Sequence, residues 1–493
     1  MHTILHNIAR QLTYDPHNPL IFSSGLFLAL FVGFTLAYYL LRNRLTPRII
    51  FVTLFSYYFY YKTSGMCLLL LAGITTTDYL LARALGRGGS PGRRRALLAL
   101  SLAVDLGLLG YFKYANFFGA SVAAIVGHNF QPSDIFLPVG ISFFTFQSMS
   151  YTIDVYRGQL KPLDRWLDYA FYVSFFPQLV AGPIVRARDF APQIHRPLVI
   201  TRRMIAAGVY FIIIGLVKKS VISDYISLNF VDRIFDNPLR YTGLENLCGL
   251  LGYSLQIYCD FSGYSDMAIG IALLLGFHFP ANFNAPYKSE SISDFWRRWH
   301  ISLSTWIRDY VYISLGGNRK GKLRTCINLI ATMLLAGLWH GAGWNFVLWG
   351  GLHGVALAGH KWMRTSLMHH DKHYRSRGWR RAGAIVLTFT LVTLLWIPFR
   401  NHDIEASQHM LSQMAFNFHP EVLASMVAGY KWVFLLIVLG FLGHYFPLKW
   451  QDRLIARLSK CGVITHAVLL AAVIFLVCQV KSSDIQPFIY FQF

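Results

Sequence analysis

Long apolar runs separated by short basic loops dominate the chain. The first run, Leu20–Leu41, is long enough to cross a bilayer, with Arg42, Arg44 and Arg48 behind it. No small-residue cleavage site follows, so a retained spanning helix is expected rather than a cleaved signal. Ile49–Tyr61 is apolar but short, Gly65–Leu85 is long enough, and Gly86–Arg95 is a basic loop rich in glycine. If both basic loops face the cytoplasm, an even number of crossings separates them. Ile49–Tyr61, extended by its neighbours, must then cross, and residues 1–19 lie outside the cytoplasm.

Further helices are expected over Ala96–Phe112, Phe136–Tyr156, Leu167–Val180, Met204–Ser223, Leu244–Asp260 and Tyr264–Phe277. The second half adds Thr325–Trp339, Trp344–His360, Ala382–Phe399, Trp432–Phe446 and Thr465–Val480. Several are shorter than the ~20 residues that a perpendicular crossing needs. Short segments interrupted by glycine or proline predict broken or re-entrant helices lining a cavity. Asp294–Ile313 holds Arg297, Arg298, Arg308 and Asp309 and reads as one amphipathic helix, buried in protein or lying at an interface. On such a helix Trp296, His300 and Ser304 share a face, and Asp294 pairs with Arg298 at i, i+4. His402–Phe418 mixes polar and apolar residues and is expected on the membrane surface. There is no internal repeat.

Composition sharpens the class. Of 493 residues, 55% are hydrophobic and 14% charged, against about 25% charged in soluble domains. The chain is therefore read as an all-α polytopic membrane protein. The net charge of +22 sits mostly in loops at expected helix ends, which favours positive-inside orientation and contact with membrane lipid over nucleic acid. The six cysteines are scattered without a ligand or disulfide pattern.

The candidate chemistry centres on two histidines beside tryptophans. His340 ends an apolar helix, between Trp339 and Gly341-Ala342-Gly343, with Trp344 and Asn345 following. A neutral imidazole there can take a proton from a hydroxyl; a histidine satisfied in a bundle core fits the pattern equally well. His300, beside Trp299, reads as a polar residue of the amphipathic helix or as a second functional position. Gly316–Lys322 is a basic turn whose Arg319 and Lys320 suit phosphate contact or merely orientation. His353 lies between Gly350 and Gly354, a spacing for close helix packing. Asp260 and Tyr264 flank Gly263 and either line a polar passage or cap helices. His369, His370 and His373 sit in a hydrophilic loop without a completing ligand, so no metal site is assigned. The absence of a P-loop and of a GxSxG elbow argues against an ATP-driven pump or an α/β-type hydrolase.

The run from Asp294 to Gly317, DFWRRWHISLSTWIRDYVYISLGG, resembles the membrane-bound O-acyltransferase family in its bacterial alginate O-acetyltransferase branch. Pro138–Gly158, Phe175–Arg186, Cys259–Gly270, Leu338–Gly354 and the terminal Phe488–Phe493 agree with it in order, although Cys259 stands where a bulkier residue is expected. The resemblance spans residues 20–493 and implies a single membrane-embedded acyltransferase domain, a helical bundle with broken helices around a central tunnel. It also implies a catalytic His340, with His300 as the second functional position. Trp296, Trp299, Ser304, Trp339, Trp344, Asn345, Asp260 and Tyr264 become candidates for the tunnel or substrate site. Arg319 and Lys320 become donor-phosphate candidates. The implied reaction moves an acetyl group from cytoplasmic acetyl-CoA, as cosubstrate rather than bound cofactor, across the bacterial inner membrane. The acceptor would be an extracytoplasmic polysaccharide, reached directly or through a periplasmic acetyltransferase partner. The alternatives are D-alanyl transfer to teichoic acid, a secondary transporter, and a non-catalytic export scaffold.

Overall fold

A computed structural model describes residues 10–16, 18–364 and 377–480. All regular elements among these residues are helical. The hydrophilic histidine loop and the terminal Phe488–Phe493 motif lie outside the described residues. The chain divides into two compact units, Met1–Ile212 with Tyr264–Pro280, and Ile213–Gly263 with Ala281–Phe493.

In the first unit, α1 covers Gly25–Leu40, later in its start than the apolar run suggests. The Ser24 hydroxyl accepts from the Phe27 amide at 3.2 Å and sets the first turn, so Leu20–Ser23 precede the helix as a buried turn, closed by the Ser24 amide on the Ile21 carbonyl at 3.0 Å. At 16 residues α1 is short of a perpendicular span. Helix α2, Leu45–Ser64, extends the short apolar run to 20 residues, the length a crossing requires. Gly65, with φ +59°, ends it before α3, Leu68–Gly86. Helix α4, Pro91–Leu109, is capped by Ser90 and continues through a π-turn into α5, Ala115–Val126. Lys113 and Asn116 hid this extension from a reading based on apolar runs. Pro138 and the left-handed Gly140 delay α6 to Ile141–Tyr156. Helix α7, Trp166–Ser174, stops short of Val180 because Pro177 follows. Helices α8, Ala187–Ile194, and α9, Arg202–Leu216, follow, and the long α10, Gly243–Leu274, belongs to this unit from Tyr264 onward.

Helix α10 corrects one expectation. Two helices were expected, divided near Gly263, yet the 32 residues form one helix. Gly263 serves close packing instead: a Cβ there would lie 2.8 Å from the Gly215 carbonyl oxygen. The chain after α9 stays helical to Asp236 through two π-turns.

The second unit carries α11, Ile292–Arg298, and α12, Ile301–Ile307, where one helix was expected. Next come α13, Lys322–His340, and α14, Trp344–Trp362, then α15, Gly378–Arg400. Helix α16, Ile404–Phe416, takes up the polar–apolar segment, capped by Asp403. Helices α17, Leu423–Gly429, and α18, Lys431–His444, meet at a 95° bend. The amphipathic α19, Leu448–Leu458, precedes the apolar α20, Val463–Val480. Six described helical runs are long and apolar enough to cross a membrane.

Candidate active site

Helices α13 and α14 are joined by the three residues Gly341–Gly343. They pack backbone to backbone through glycines. A Cβ on Gly350 would stand 2.2 Å from the Met333 oxygen, and one on Gly337 would stand 2.2 Å from the Phe346 oxygen. A Cβ on Gly354 would stand 2.8 Å from the Ile330 Cα. These pairings run antiparallel, so His340 and Trp344 lie at one end of the pair and Lys322 and Trp362 at the other. Over its 19 residues α13 is ~28 Å long at 1.5 Å per residue, about the thickness of a hydrocarbon core.

His340 is buried at 2% exposure. Its ring meets Trp339 at 4.9 Å, Trp349 edge-on at 5.0 Å and Phe399 at 5.4 Å. Trp339 also faces the His300 ring at 5.9 Å, so one indole lies against both histidines.

His300 does not continue a helix. Its backbone is left-handed at φ +42°, ψ 57°, and it caps α12 after α11 has ended at Arg298. This overturns the shared face of Trp296, His300 and Ser304 at helical spacing. A non-glycine residue in this region costs roughly 1 kcal/mol and needs tertiary support. Asn282 provides it. Its Oδ1 faces His300 Nδ1 at 3.2 Å and accepts from the Ser302 hydroxyl at 2.8 Å and the Ser302 amide at 3.2 Å. The Ile301 amide donates to the Asn282 backbone carbonyl at 2.9 Å. An oxygen opposite Nδ1 favours the ring proton there and the lone pair on Nε2. Burial, with Phe261 edge-on at 4.5 Å, pushes the His300 imidazole down to about 3, so the ring is neutral at physiological pH.

A cavity of about 610 Å³ lies in the same unit. On α13 it is lined by Leu329, Thr332, Met333 and Ala336, spaced as one helical face, and the next residues on that face are Trp339 and His340. On the α14 side its lining runs from Arg364 and Lys361 to Leu357. Arg297 and Arg308 add charge from α11 and the turn after α12. The cavity therefore has an apolar interior and a basic outer end, and it stops one turn of α13 short of His340.

Of the residues singled out from sequence, Trp296 and Ser304 line this cavity. Trp299 is fully buried beside it, packed on Trp396 at 5.1 Å. Asn345 is buried near the His340 end, its amide donating to the Asn401 carbonyl at 2.9 Å, while Trp344 is exposed. Asp294 and Arg298 do pair, at 2.9 Å. Arg319 and Lys320 are exposed and stand outside the cavity lining, although Asn318 next to them belongs to it. The glycine turn is tied to α13 by the Asn328 amide, which donates to the Gly317 oxygen at 2.9 Å. Asp260 is held by Lys219 at 2.5 Å, with Asp224 on the same ammonium at 2.7 Å. In the first unit, Tyr264 stacks on Phe22 at 4.7 Å. Sequence reading missed the basic set Arg297, Arg308, Lys361 and Arg364. Arg297 and Arg308 were seen only as charges of an amphipathic helix, and nothing in the sequence linked them to the end of α14. Among the described residues no group of three or more His, Cys, Asp or Glu is placed to hold a metal.

Comparison with known proteins agrees with the resemblance. The sequence model of the MBOAT, membrane-bound O-acyltransferase, family matches residues 165–394. A protein of Pseudomonas putida named "Probable alginate O-acetylase AlgI" is 36% identical over 96% of this chain and 100% of its own length. The peptidoglycan O-acetyltransferase of Helicobacter pylori is 38% identical over 80% of each chain. The teichoic acid D-alanyltransferase of Bacillus subtilis is 30% identical over 60% of this chain and 82% of its own. An all-helical multi-pass membrane protein that the Pseudomonas putida relative matches along nearly its whole length belongs to the membrane-bound O-acyltransferase family, in its alginate O-acetyltransferase-like branch, and is an O-acetyltransferase.

Proposed function

We infer that the protein takes an acetyl group from acetyl-CoA on the cytoplasmic side of the bacterial inner membrane and delivers it to an extracytoplasmic polysaccharide. The observation that carries this reading is the cavity: basic at its outer end, apolar within, and running along α13 toward His340. Arg297, Arg308, Lys361 and Arg364 suit the phosphates of the donor, and the apolar interior suits the thioester arm. The outer end is also the more basic end of the α13–α15 group, with Lys322 and Arg324 opening α13 and Arg380 and Arg381 opening α15. Positive-inside orientation then places it in the cytoplasm and His340 toward the far face. By the same rule, applied to the loops around Arg42–Arg48 and Gly86–Arg95, residues 1–19 lie outside the cytoplasm. The whole chain serves as one acyltransferase domain.

In the proposed chemistry, an acceptor hydroxyl attacks the thioester carbonyl. Its proton passes to the neutral His340 imidazole and then to the departing CoA thiolate, giving an ester and a free thiol. Trp339, packed on both histidines, keeps water from the thioester. The acceptor is the polysaccharide itself or a periplasmic partner that completes the transfer, with alginate-type polymers first in line from the relatives. Membranes given labelled acetyl-CoA should transfer label to polymer, and His340→Ala should abolish transfer with membrane expression unchanged. Unchanged acetylation in that variant would remove the mechanism. Labelling from a D-alanyl carrier protein instead would move the protein to the teichoic acid reaction.

A further inference from the structure

The geometry points to His353 as a positioning residue that, through Trp296, sets how long an acyl chain the cavity accepts. This rests on reading the cavity as the donor site. Trp296 lines the cavity, and its Nε1–H donates to His353 Nδ1 at 3.3 Å, with the rings edge-on at 5.2 Å. Accepting that bond requires a neutral imidazole with its lone pair on Nδ1; a protonated ring has none to offer. His353 is fully buried and held from two other sides. Trp349 packs on it at 4.7 Å, and Phe295 lies nearly parallel to it at 6.4 Å. The imidazole is therefore a fixed post, and the indole is what it holds.

The position of that indole limits the cavity. On α14 the lining ends at Leu357. His353, one turn further in, is covered by Trp296. Trp296 in turn abuts Trp349 at 5.8 Å, and Trp349 abuts His340 at 5.0 Å. On α13 the lining reaches one turn deeper, to Ala336. Ala336 and the Trp296 ring thus line the cavity's inner end, where the acyl group of the donor would lie. Releasing the indole would open the turn over His353 to a longer chain. A second pair, Ser293 Oγ with His360 Nδ1 at 3.3 Å, fixes α11 to α14 nearer the outer end, so losing the His353 bond frees the ring without freeing the helix.

The test uses the full chain in lipid nanodiscs and the displacement of labelled acetyl-CoA by butyryl-CoA and hexanoyl-CoA, which requires no acceptor. Wild type should favour acetyl-CoA. In His353→Leu the preference over hexanoyl-CoA should shrink by about tenfold, the scale of one buried hydrogen bond. Trp296→Phe, which keeps a ring but loses the donor, should behave likewise, and the double variant should add little. His353→Asn, whose amide oxygen sits near the place of Nδ1, should keep the wild-type ratio. A merely structural histidine would lower binding of all three donors together. An unchanged ratio in His353→Leu, with acetyl-CoA still bound, overturns the role of His353 alone. Acetyl-CoA binding that ignores Arg308→Ala with Arg364→Ala overturns the donor reading and this inference together.

Discussion

Gly350→Ala is the sharpest probe of how the fold serves the site. The added Cβ would lie 2.2 Å from the Met333 oxygen and 3.0 Å from the Gly337 Cα, and both neighbours are backbone. Ordinary contact begins near 3.4 Å, so α13 and α14 must part locally by ~1 Å, since packed backbones cannot yield as a flexible side chain would. Overpacking of this kind costs roughly 1–3 kcal/mol. Replacing a helix-interior glycine by alanine returns about 1 kcal/mol of propensity. The net loss of stability is therefore small, ~0–2 kcal/mol. Activity should suffer far more, because α13 carries His340 and one wall of the cavity while α14 carries the opposite wall. A displacement of ~1 Å between reacting groups can cost on the order of 100-fold in rate. Gly359→Ala on the same helix is the control, since its Cβ would meet nothing within 4 Å. The assay pairs thermal unfolding in detergent with transfer of label from acetyl-CoA to polymer in membranes. Expected is a melting shift of a few degrees in Gly350→Ala with transfer down about 100-fold. Transfer within about threefold of the Gly359→Ala control would refute the claim that helix spacing sets the reaction geometry.

Two further outcomes follow from buried charge. Lys219→Met leaves Asp260 and Asp224 without their shared ammonium, 2.5 and 2.7 Å away in the native protein. It should destabilise by ~3–5 kcal/mol, with much of the loss recovered when both carboxylates become amides; a wild-type melting point for Lys219→Met would exclude this. His300 is held near 3 when folded and has its ordinary value of about 6.5 when unfolded. The folded state therefore binds fewer protons between those values. The stability contributed by the neutral ring is complete above about pH 6.5 and is lost as pH falls toward 3. His300→Asn, which also tolerates the left-handed backbone, should melt with a shallower loss between pH 7 and 5 than wild type. Parallel pH profiles for the two proteins would rule out that linkage.

The class of the protein was legible because membrane helices write their own pattern: the apolar runs beginning at Gly65, Trp344 and Ala382 all became helices close to their expected bounds. Breaks were less legible. Gly263 looks like a breaker and is a packing contact inside a continuous α10. His300, in a run of helix-compatible residues, is where the chain turns into the left-handed region, because Asn282, eighteen residues earlier, captures its ring and the Ser302 amide. No local pattern announces such a tertiary bond. The two histidines could be singled out by their tryptophan neighbours, but their meeting through Trp339 depends on how the α11–α12 break sits against α13. The basic outer end of the cavity was illegible for the same reason: Arg308 and Arg364 are far apart in sequence, and only the fold gathers them.

Under the proposed function, the placement of His340 at one end of α13, with the basic opening toward the other, lets a thioester and a distant acceptor share one base. If the imidazole sat at the donor's entrance, the acetyl group would have to cross the hydrocarbon layer after activation, with no thiolate left to hold it. With the base at the far end, the proposed donor's arm would carry the acetyl group along the α13 face, and chemistry would begin only where an acceptor from the other side arrives. The cavity's halt at Ala336 then acts in favour of the reaction. Trp296 lines the cavity and abuts Trp349, and Trp349 and Trp339 pack on His340, so under the proposed reading these indoles limit the water that reaches the base from the donor side. Hydrolysis of the thioester, the competing reaction, needs that same base together with water. Admitting an acetyl group past these indoles without an open column of water is therefore what the proposed reading requires of a transferase, as against a thioesterase built of the same parts.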